Sequence, residues 1–254
     1  MAQTTIEWTA RRTPEGVVIP GYTFNIVWGC QKVSEGCKHC YADTLASRYG
    51  YSLWGPLASR RVMSPAYWEA PLRWNREACA QDEPRLVFCS SMADVFEDHP
   101  TVAQEREKLW PLIDQTPWLI WLLLTKRPQN ILAYSPYVSG CPDNVWVGTS
   151  VENQRRAEER IPELLNVLAR VRFLSCEPLL GPLDLSAWLP FIDWVIVGGE
   201  SGVAARPMDP RWVRFLRDQC QDARVPFFFK QWGGRTHASG GRLLDGQLWH
   251  EMPL

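Results

Sequence analysis

The sequence has 254 residues, of which 46% are hydrophobic and 22% are charged, and its formal net charge is -1. This composition is typical of a globular protein with a sizeable core, and the balanced charge gives no general attraction to nucleic acid. No apolar run reaches the ~20 residues that span a bilayer, and the first residues lack the apolar core of a secretory signal, so we expect a cytoplasmic protein with reduced cysteines.

Along the chain, apolar runs alternate with amphipathic segments. The predicted strands are, in order, YTFNIVWGC, RLVFCSS, WLIWLLLT, NVWVGTS, VRFLSC, DWVIVGG and PFFFKQ. The predicted helices are YADTLASRYG, TVAQEREKLWPLIDQTP, QRRAEERIPELLNVLAR and DPRWVRFLRDQCQDARV, the second with Thr101 as its N-cap. In the tail, Asp245-Gly246 predicts the turn of a short hairpin within about residues 233–254.

Nearly continuous apolar strands that alternate with helices predict an α/β fold with a parallel sheet. With about six to seven strand-helix units, we expect a partial or full (β/α) barrel, and an open doubly wound sheet is the alternative. No linker or low-complexity tract divides the chain, so we expect a single domain over residues 1–254.

Polar or ionisable residues follow almost every predicted strand. In parallel architectures the carboxyl ends of the strands meet at one edge, which is where active sites form. The pattern therefore favours a shared polar site, although a strand that ends in water also ends in polar residues. The groups are Ser90/Ser91/Asp94, Lys126/Arg127, Ser150/Glu152, Cys176/Glu177, Glu200/Ser201 and Lys230/Gln231.

Three cysteines, Cys30, Cys37 and Cys40, follow the first predicted strand. A structural zinc site is closed by four ligands, and His39 is an awkward fourth because it adjoins Cys40. An iron–sulfur cluster held by three thiolates keeps one iron open for an external ligand. The residues alone leave an iron–sulfur cluster, zinc and unliganded thiols open.

The motif set resembles a family of phage and bacterial proteins of unknown function that is marked by three clustered cysteines. The resemblance runs along almost the whole chain and gives no reaction. The motifs are IEWT, WGCQKVSEGCKHCYA, SSMADVF, TKRP, VWVGTSVEN, CEPLLGPL, WVIVGGESG, ARPM and VPFFFKQWGG.

More distantly, the chain is similar to radical S-adenosylmethionine enzymes. Those enzymes carry a C-x3-C-x2-C loop after the first strand of a partial barrel, with an aromatic residue before the last cysteine. Here the interval from Cys37 to Cys40 matches and His39 takes the aromatic position, whereas six residues separate Cys30 from Cys37. A Gly-Gly-Glu strand end, Gly198-Gly199-Glu200, also matches, near the sixth predicted strand rather than the second.

The resemblance implies a 4Fe-4S cluster on the three cysteines, with S-adenosylmethionine on the open iron. We expect cofactor contacts from His39, Glu152, Gly198, Gly199 and Glu200, and catalytic roles for Lys126, Glu177 and Lys230. The motifs identify no substrate and no oligomeric state.

The alternative is a nucleic-acid-associated iron–sulfur protein with a structural or electron-transfer cluster. In that case arginines beside tryptophans would contact the backbone and stack on bases. The candidates are Arg11, Arg12, Arg60, Arg61, Arg155 and Arg156.

Overall fold

The computed structural model describes residues 3–13, 16–236 and 238–253. Its strands are β1 (Arg11–Arg12), β2 (Val18–Ile19), β3 (Tyr22–Phe24), β4 (Val27–Trp28), β5 (Arg61–Val62), β6 (Arg85–Cys89), β7 (Leu119–Thr125), β8 (Val145–Ser150), β9 (Val171–Cys176), β10 (Trp194–Gly198) and β11 (Phe227–Gln231).

The α-helices are α1 (Tyr41–Arg48), α2 (Pro65–Trp68), α3 (Ala70–Ala80), α4 (Pro100–Asp114), α5 (Ile131–Tyr134), α6 (Gln154–Leu165) and α7 (Pro210–Ala223). Asn153 and Asp209 cap α6 and α7, because their side chains accept from the backbone N–H of Arg156 and Arg211. The prediction of Thr101 as the cap of α4 is wrong. The helix begins at Pro100, a favoured first position, and the His99 side chain accepts from the Thr101 N–H.

Seven strands form one parallel sheet in the order β3-β6-β7-β8-β9-β10-β11, which is also their order in the chain. Since each new strand is added on the same side and crossovers are right-handed, the covering helices fall on one face and the sheet curls around the other. The result is a half-barrel, as predicted. A doubly wound sheet would reverse its strand order, and this one does not.

The concave face of the half-barrel is filled by large apolar side chains. Trp8 lies among them, with its ring centroid 4.6 Å from that of Phe88 and 6.2 Å from those of Phe173 and Trp194. The other buried members of this cluster are Leu86, Leu122, Trp146, Val171, Ile196 and Phe228. Because side chains alternate along a strand, the same inward series reaches Ser150 at the end of β8 and Lys230 in β11. Apolar side chains therefore fill the inside of the half-barrel, and polar side chains lie at its carboxyl edge.

The predicted hairpin turn is present near the end of the chain. Leu244 and Gln247 form an antiparallel bridge around Asp245 (φ 53°) and Gly246 (φ 78°), the left-handed pair that a type I′ turn requires. The following segment runs antiparallel along β11, since Phe229 N–H donates to Trp249 O at 2.9 Å and His250 bridges Phe228. Among the described residues, no helix is long and apolar enough to cross a membrane.

Candidate functional site

The three cysteines lie on one loop, residues 29–40, here called the cysteine loop. It leaves β4 at Gly29 (φ 114°), passes through a 3-10 turn at Glu35–Cys37 and enters α1 after Cys40. Gly29 is required there: a Cβ would meet Leu53 O at 2.6 Å, and its φ lies in the left-handed region. The loop extends over the carboxyl edge of the half-barrel, where side chains from later strands contact it.

A buried ion pair holds the start of the cysteine loop. Glu97 accepts from Arg60 through both oxygens, with Nε to Oε2 and Nη2 to Oε1 each at 2.9 Å. Glu97 Oε1 also accepts the Gln31 backbone N–H at 2.7 Å. The Arg60 and Glu97 side chains are only 1% and 2% exposed, so solvent does not compete for these contacts.

A second buried pair reaches Cys30 itself. Arg127 Nη1 donates to Asp94 Oδ2 at 2.8 Å and lies 3.7 Å from Cys30 Sγ, and Arg127 Nη2 donates to Gln31 O at 2.8 Å. Asp94 is fixed in turn by Thr125 Oγ1 at 2.7 Å and by the Lys126 N–H at 3.1 Å. This links the ends of β6 and β7 to the first cysteine.

The middle of the loop rests on Glu152, which follows β8 and is fully buried. Glu152 Oε1 accepts from Ser34 Oγ at 2.7 Å, and Oε2 accepts from Arg160 Nη1 at 2.8 Å. Ser34 Oγ is also 3.6 Å from Cys37 Sγ. A Cβ at Gly36 would lie 2.5 Å from Glu152 Cγ, so only glycine lets the loop approach this closely.

The end of the loop contacts Glu200, which follows β10. His39 Nδ1 lies 3.0 Å from Glu200 Oε2, and the same oxygen accepts from Arg206 N–H at 2.9 Å and Arg206 Nε at 2.8 Å. Burial acts to raise the pKa of Glu200, but the hydrogen bonds from Arg206 and His39 hold that pKa at about 2. Arg206 Nη2 also donates to Glu35 O at 3.0 Å.

The three predicted catalytic residues are partly exposed at the same edge. Lys126 Nζ lies 3.0 Å from Ser150 Oγ and 3.8 Å from Glu152 Oε1. Lys230 Nζ pairs with Glu177 Oε2, while Glu177 Oε1 accepts from Gln231 Nε2 at 2.8 Å. Their side chains keep 23% (Lys126), 25% (Glu177) and 20% (Lys230) of their surface in solvent. All three side chains are therefore accessible from solvent at this edge.

Gly198 and Gly199 end β10 beside this pair. A Cβ at Gly199 would meet the backbone carbonyl carbon of Trp232 at 2.6 Å, and one at Gly198 would lie 3.1 Å from Glu177 Cδ. The two glycines let β10 pack against the chain that follows β11. This close packing accounts for the Gly-Gly pair on local grounds, and the predicted cofactor contact there stays a prediction.

Whether these residues suit a metal cluster depends on the groups near the three sulfurs, because a ligating thiolate accepts hydrogen bonds. Cys30 Sγ faces Arg127 and Cys37 Sγ faces Ser34. Burial raises the pKa of the Cys40 thiol, whereas the backbone N–H groups of Asp43 and Ala42 lower it. Cys30 thus has a cationic donor and Cys40 has backbone donors, whereas Ser34, whose single proton goes to Glu152, accepts from the Cys37 thiol. Three free thiols on one short loop fit a cluster held by Cys30, Cys37 and Cys40.

A single-ion site fits less well. Within the described residues, no three or more His, Cys, Asp or Glu side chains are arranged to hold one metal ion. A tetrahedral zinc ion needs its ligands to converge on one point. Three thiolates of a four-iron cluster each bind a different iron and need no common point.

The residues that fasten the cysteine loop were not among the predicted site residues. Ser34 and Arg60 pair with carboxylates far along the chain, Glu152 across 118 positions and Glu97 across 37. Arg160 and Arg206 pair with acids only 8 and 6 positions away, Glu152 and Glu200. Their one sequence signal is the SEGC segment, where serine and glycine precede Cys37.

The arginines expected to contact nucleic acid are mostly paired with carboxylates. Arg11 contacts Glu83, Arg60 contacts Glu97, Arg155 contacts Glu159, and Arg156 contacts Glu35. Arg61 instead lies 5.0 Å from the Trp28 ring centroid and 4.8 Å from that of Tyr51. The paired guanidinium groups do not form a free basic groove.

Comparison with known families gives one clear match. The pattern of a family described as "Protein of unknown function (DUF5131)" matches residues 3–253. The chain belongs to this family. No curated protein matches it. The match confirms that the chain belongs to a family of unknown function, as predicted, and its chemistry has to be argued from the residues.

Among solved structures, spore photoproduct lyase is similar in outline. A cysteine and serine double mutant with bound AdoMet and dinucleoside spore photoproduct matches with a TM-score of 0.47 and 12% identity, over 82% of this chain and 62% of that one. The enzyme complexed with dinucleoside spore photoproduct matches with a TM-score of 0.44 and 11% identity, over 79% and 61%. The chain spans about three fifths of these structures. Its function is argued below from its own residues.

Proposed function

We propose that this protein is a radical S-adenosylmethionine-type enzyme in which Cys30, Cys37 and Cys40 hold a 4Fe-4S cluster with one open iron. The observation that carries the proposal is the cysteine loop itself. Three free thiols lie on twelve residues, and buried ion pairs fasten that loop over the carboxyl edge of a parallel half-barrel. The motif resemblance to radical enzymes supports the same assignment.

When bound, the reduced cluster would supply the electron that cleaves the sulfonium of S-adenosylmethionine. The protein supplies the ligands and their orientation. Arg127 and the start of α1 place donors at Cys30 and Cys40, which stabilises these two sulfurs as thiolates. The aromatic plug around Trp8 closes the half-barrel below and keeps water from reaching the edge from that side.

The remaining side chains divide into two groups. Glu152 is fully buried with both oxygens engaged, so its role is to position the loop. Glu200 is also buried, with both oxygens engaged by Arg206 and His39, so it positions the loop as well. His39 keeps a quarter of its side-chain surface in solvent beside Cys40, from where it would meet a cofactor. Lys126 offers a cation to a carboxylate or phosphate, and the Glu177–Lys230 pair can hold or pass a proton at the substrate.

The test is anaerobic purification, reconstitution with iron and sulfide, and reduction in the presence of S-adenosylmethionine. We expect a brown protein, an EPR spectrum that changes when S-adenosylmethionine is added, and 5′-deoxyadenosine as a product. Replacing the three loop cysteines with alanine should abolish iron and product. Cys79→Ala is the matched control, because Cys79 is also a free thiol but is exposed on α3, and it should retain both.

Two results would redirect the proposal. Stoichiometric zinc in a colourless protein after this treatment would reject the cluster. A fully loaded cluster whose spectrum ignores S-adenosylmethionine, with no 5′-deoxyadenosine formed, would reject the radical enzyme and favour an iron–sulfur protein with a structural or electron-transfer cluster.

A further inference from the structure

Arg127 occupies a position that loop attachment alone does not explain. The backbone around Cys30 already has other partners, since Gly55 N–H donates to Cys30 O at 3.1 Å and Glu97 accepts from Gln31 N–H at 2.7 Å. Arg127 Nη2 adds a third contact, to Gln31 O. The second guanidinium nitrogen, Nη1, points at the sulfur, 3.7 Å away.

Asp94 fixes that guanidinium. Its Oδ2 accepts from Arg127 Nη1 at 2.8 Å, while Thr125 Oγ1 and the backbone N–H groups of Phe96 and Lys126 hold the carboxylate from the other sides. The Arg127 and Asp94 side chains are each 8% exposed. Because the pair is buried and braced, the fold sets the distance of the guanidinium from the sulfur, and the Asp94 carboxylate offsets part of its charge there.

The groups beside the other two cysteines are different in kind. Cys37 faces the neutral hydroxyl of Ser34, and Cys40 lies at the N-cap position of α1. Only Cys30, of the three, has a side-chain cation within hydrogen-bond distance of its sulfur among the described contacts. The sulfur now donates to Gln31 O at 3.4 Å, and as a ligating thiolate it would accept instead.

We propose that Arg127, braced by Asp94, sets the reduction potential of the cluster through Cys30. This inference rests on the proposed function. A full positive charge that donates to a ligand sulfur stabilises the reduced cluster, which carries one more negative charge than the oxidised one, and hydrogen bonds to sulfur are a known determinant of such potentials. Arg127 is therefore a positioning and electrostatic residue and does not itself touch the substrate.

The experiment is an EPR-monitored redox titration with dithionite, a one-electron reductant, on reconstituted protein. For Arg127→Gln we expect full iron and sulfide, and a ratio of reduced to oxidised cluster about tenfold lower at a fixed potential. A tenfold change in this ratio corresponds to a reduction potential about 59 mV more negative for a one-electron couple. Arg127→Lys, which keeps the charge and loses the planar fork, should fall between wild type and Arg127→Gln.

Arg206→Gln is the matched control. Arg206 also holds the cysteine loop, through Glu35 O, and carries the same charge, but no sulfur lies among its described contacts. The reduction potential of the cluster should shift clearly less in Arg206→Gln than in Arg127→Gln. Because Arg127→Gln leaves Asp94 buried without its partner, the double variant Arg127→Gln/Asp94→Asn carries the test if the single variant does not fold. It is compared with Asp94→Asn, from which it differs only by the Arg127 cation.

The outcomes separate the two proposals. Wild-type protein that takes up no iron defeats the proposed function. Loaded Arg127→Gln with the potential of wild type, or the loaded double variant with the potential of Asp94→Asn, overturns the role of Arg127 and leaves the cluster intact. A shift equal to that of Arg206→Gln also overturns it, because charge anywhere near the loop would then suffice.

Discussion

A methyl group at Gly36 should loosen the cysteine loop without unfolding the protein. A Cβ built there lies 2.5 Å from Cγ and 2.7 Å from Cδ of Glu152, against ~3.5–4.0 Å for an ordinary carbon contact. The φ of Gly36 is not in the left-handed region, so alanine brings no backbone strain and the effect is steric. Glu152 cannot give way, because Arg160 and Ser34 hold its two oxygens.

The loop must therefore move away from Glu152 in Gly36→Ala. Overpacking of this kind costs ~1–3 kcal/mol, and losing the Ser34 hydrogen bond to a carboxylate costs ~1.5–3 kcal/mol. Moving the loop relieves the overpacking but breaks the Ser34 hydrogen bond, so the two costs do not add. A penalty of ~1.5–3 kcal/mol lowers the population of the seated loop, and with it the apparent affinity for iron, about ten- to a hundredfold.

The assay is iron and sulfide retained by reconstituted protein against increasing concentrations of a chelator. Gly181→Ala is the control, because its Cβ would lie 3.8 Å from Asn153 Cβ, an ordinary contact, and it should bind iron as wild type does. Circular dichroism should show the same secondary structure in all three proteins. Equal iron retention in Gly36→Ala and Gly181→Ala would refute the claim that Glu152 seats the loop.

Three further variants test neighbouring contacts. Ser34→Ala removes the hydrogen bond to Glu152 without adding bulk, so iron retention should fall about tenfold. Unchanged iron retention would contradict the assigned contact. Glu200→Gln should lower the free energy of unfolding of the iron-free protein by ~1–3 kcal/mol at neutral pH. Because the pKa of Glu200 is lowered from an ordinary 4.5 to about 2, this difference from wild type should shrink as pH falls from 4.5 towards 2. A difference that stays constant with pH in urea titrations would argue against the contact with Arg206. Lys126→Met should keep its iron and lower 5′-deoxyadenosine formation about tenfold or more, and an unimpaired rate would remove Lys126 from the site.

The half-barrel could be predicted because its strands are buried on both faces and read as continuous apolar runs. Leu119–Thr125 is the clearest case, with six apolar residues in a row before Thr125. Sequence could not show that strand order follows chain order, which decides between a half-barrel and a doubly wound sheet. Nor could it place Trp8, since a tryptophan near the start of the chain gives no sign that it fills the concave face.

The site divides in the same way. Polar residues after each strand predicted a shared edge, because the carboxyl ends of parallel strands must meet there. The role of each acid depended on partners from other elements. Glu152 was expected at a cofactor and instead contacts Ser34 of the loop, 118 residues earlier in the chain. Pairings over such distances have no local pattern that a sequence can display.

Charge pairing at this edge suggests why so many ionisable residues gather there. Four acids each hold an arginine and, through it or directly, the cysteine loop: Asp94 with Arg127, Glu97 with Arg60, Glu152 with Arg160, and Glu200 with Arg206. Each of these carboxylates is almost fully buried, where an unpaired charge would be costly. Lys126, Glu177 and Lys230 are different, because they keep a fifth or more of their side-chain surface in solvent. The buried pairs are the support of the loop, and the exposed residues are the ones left to meet a ligand.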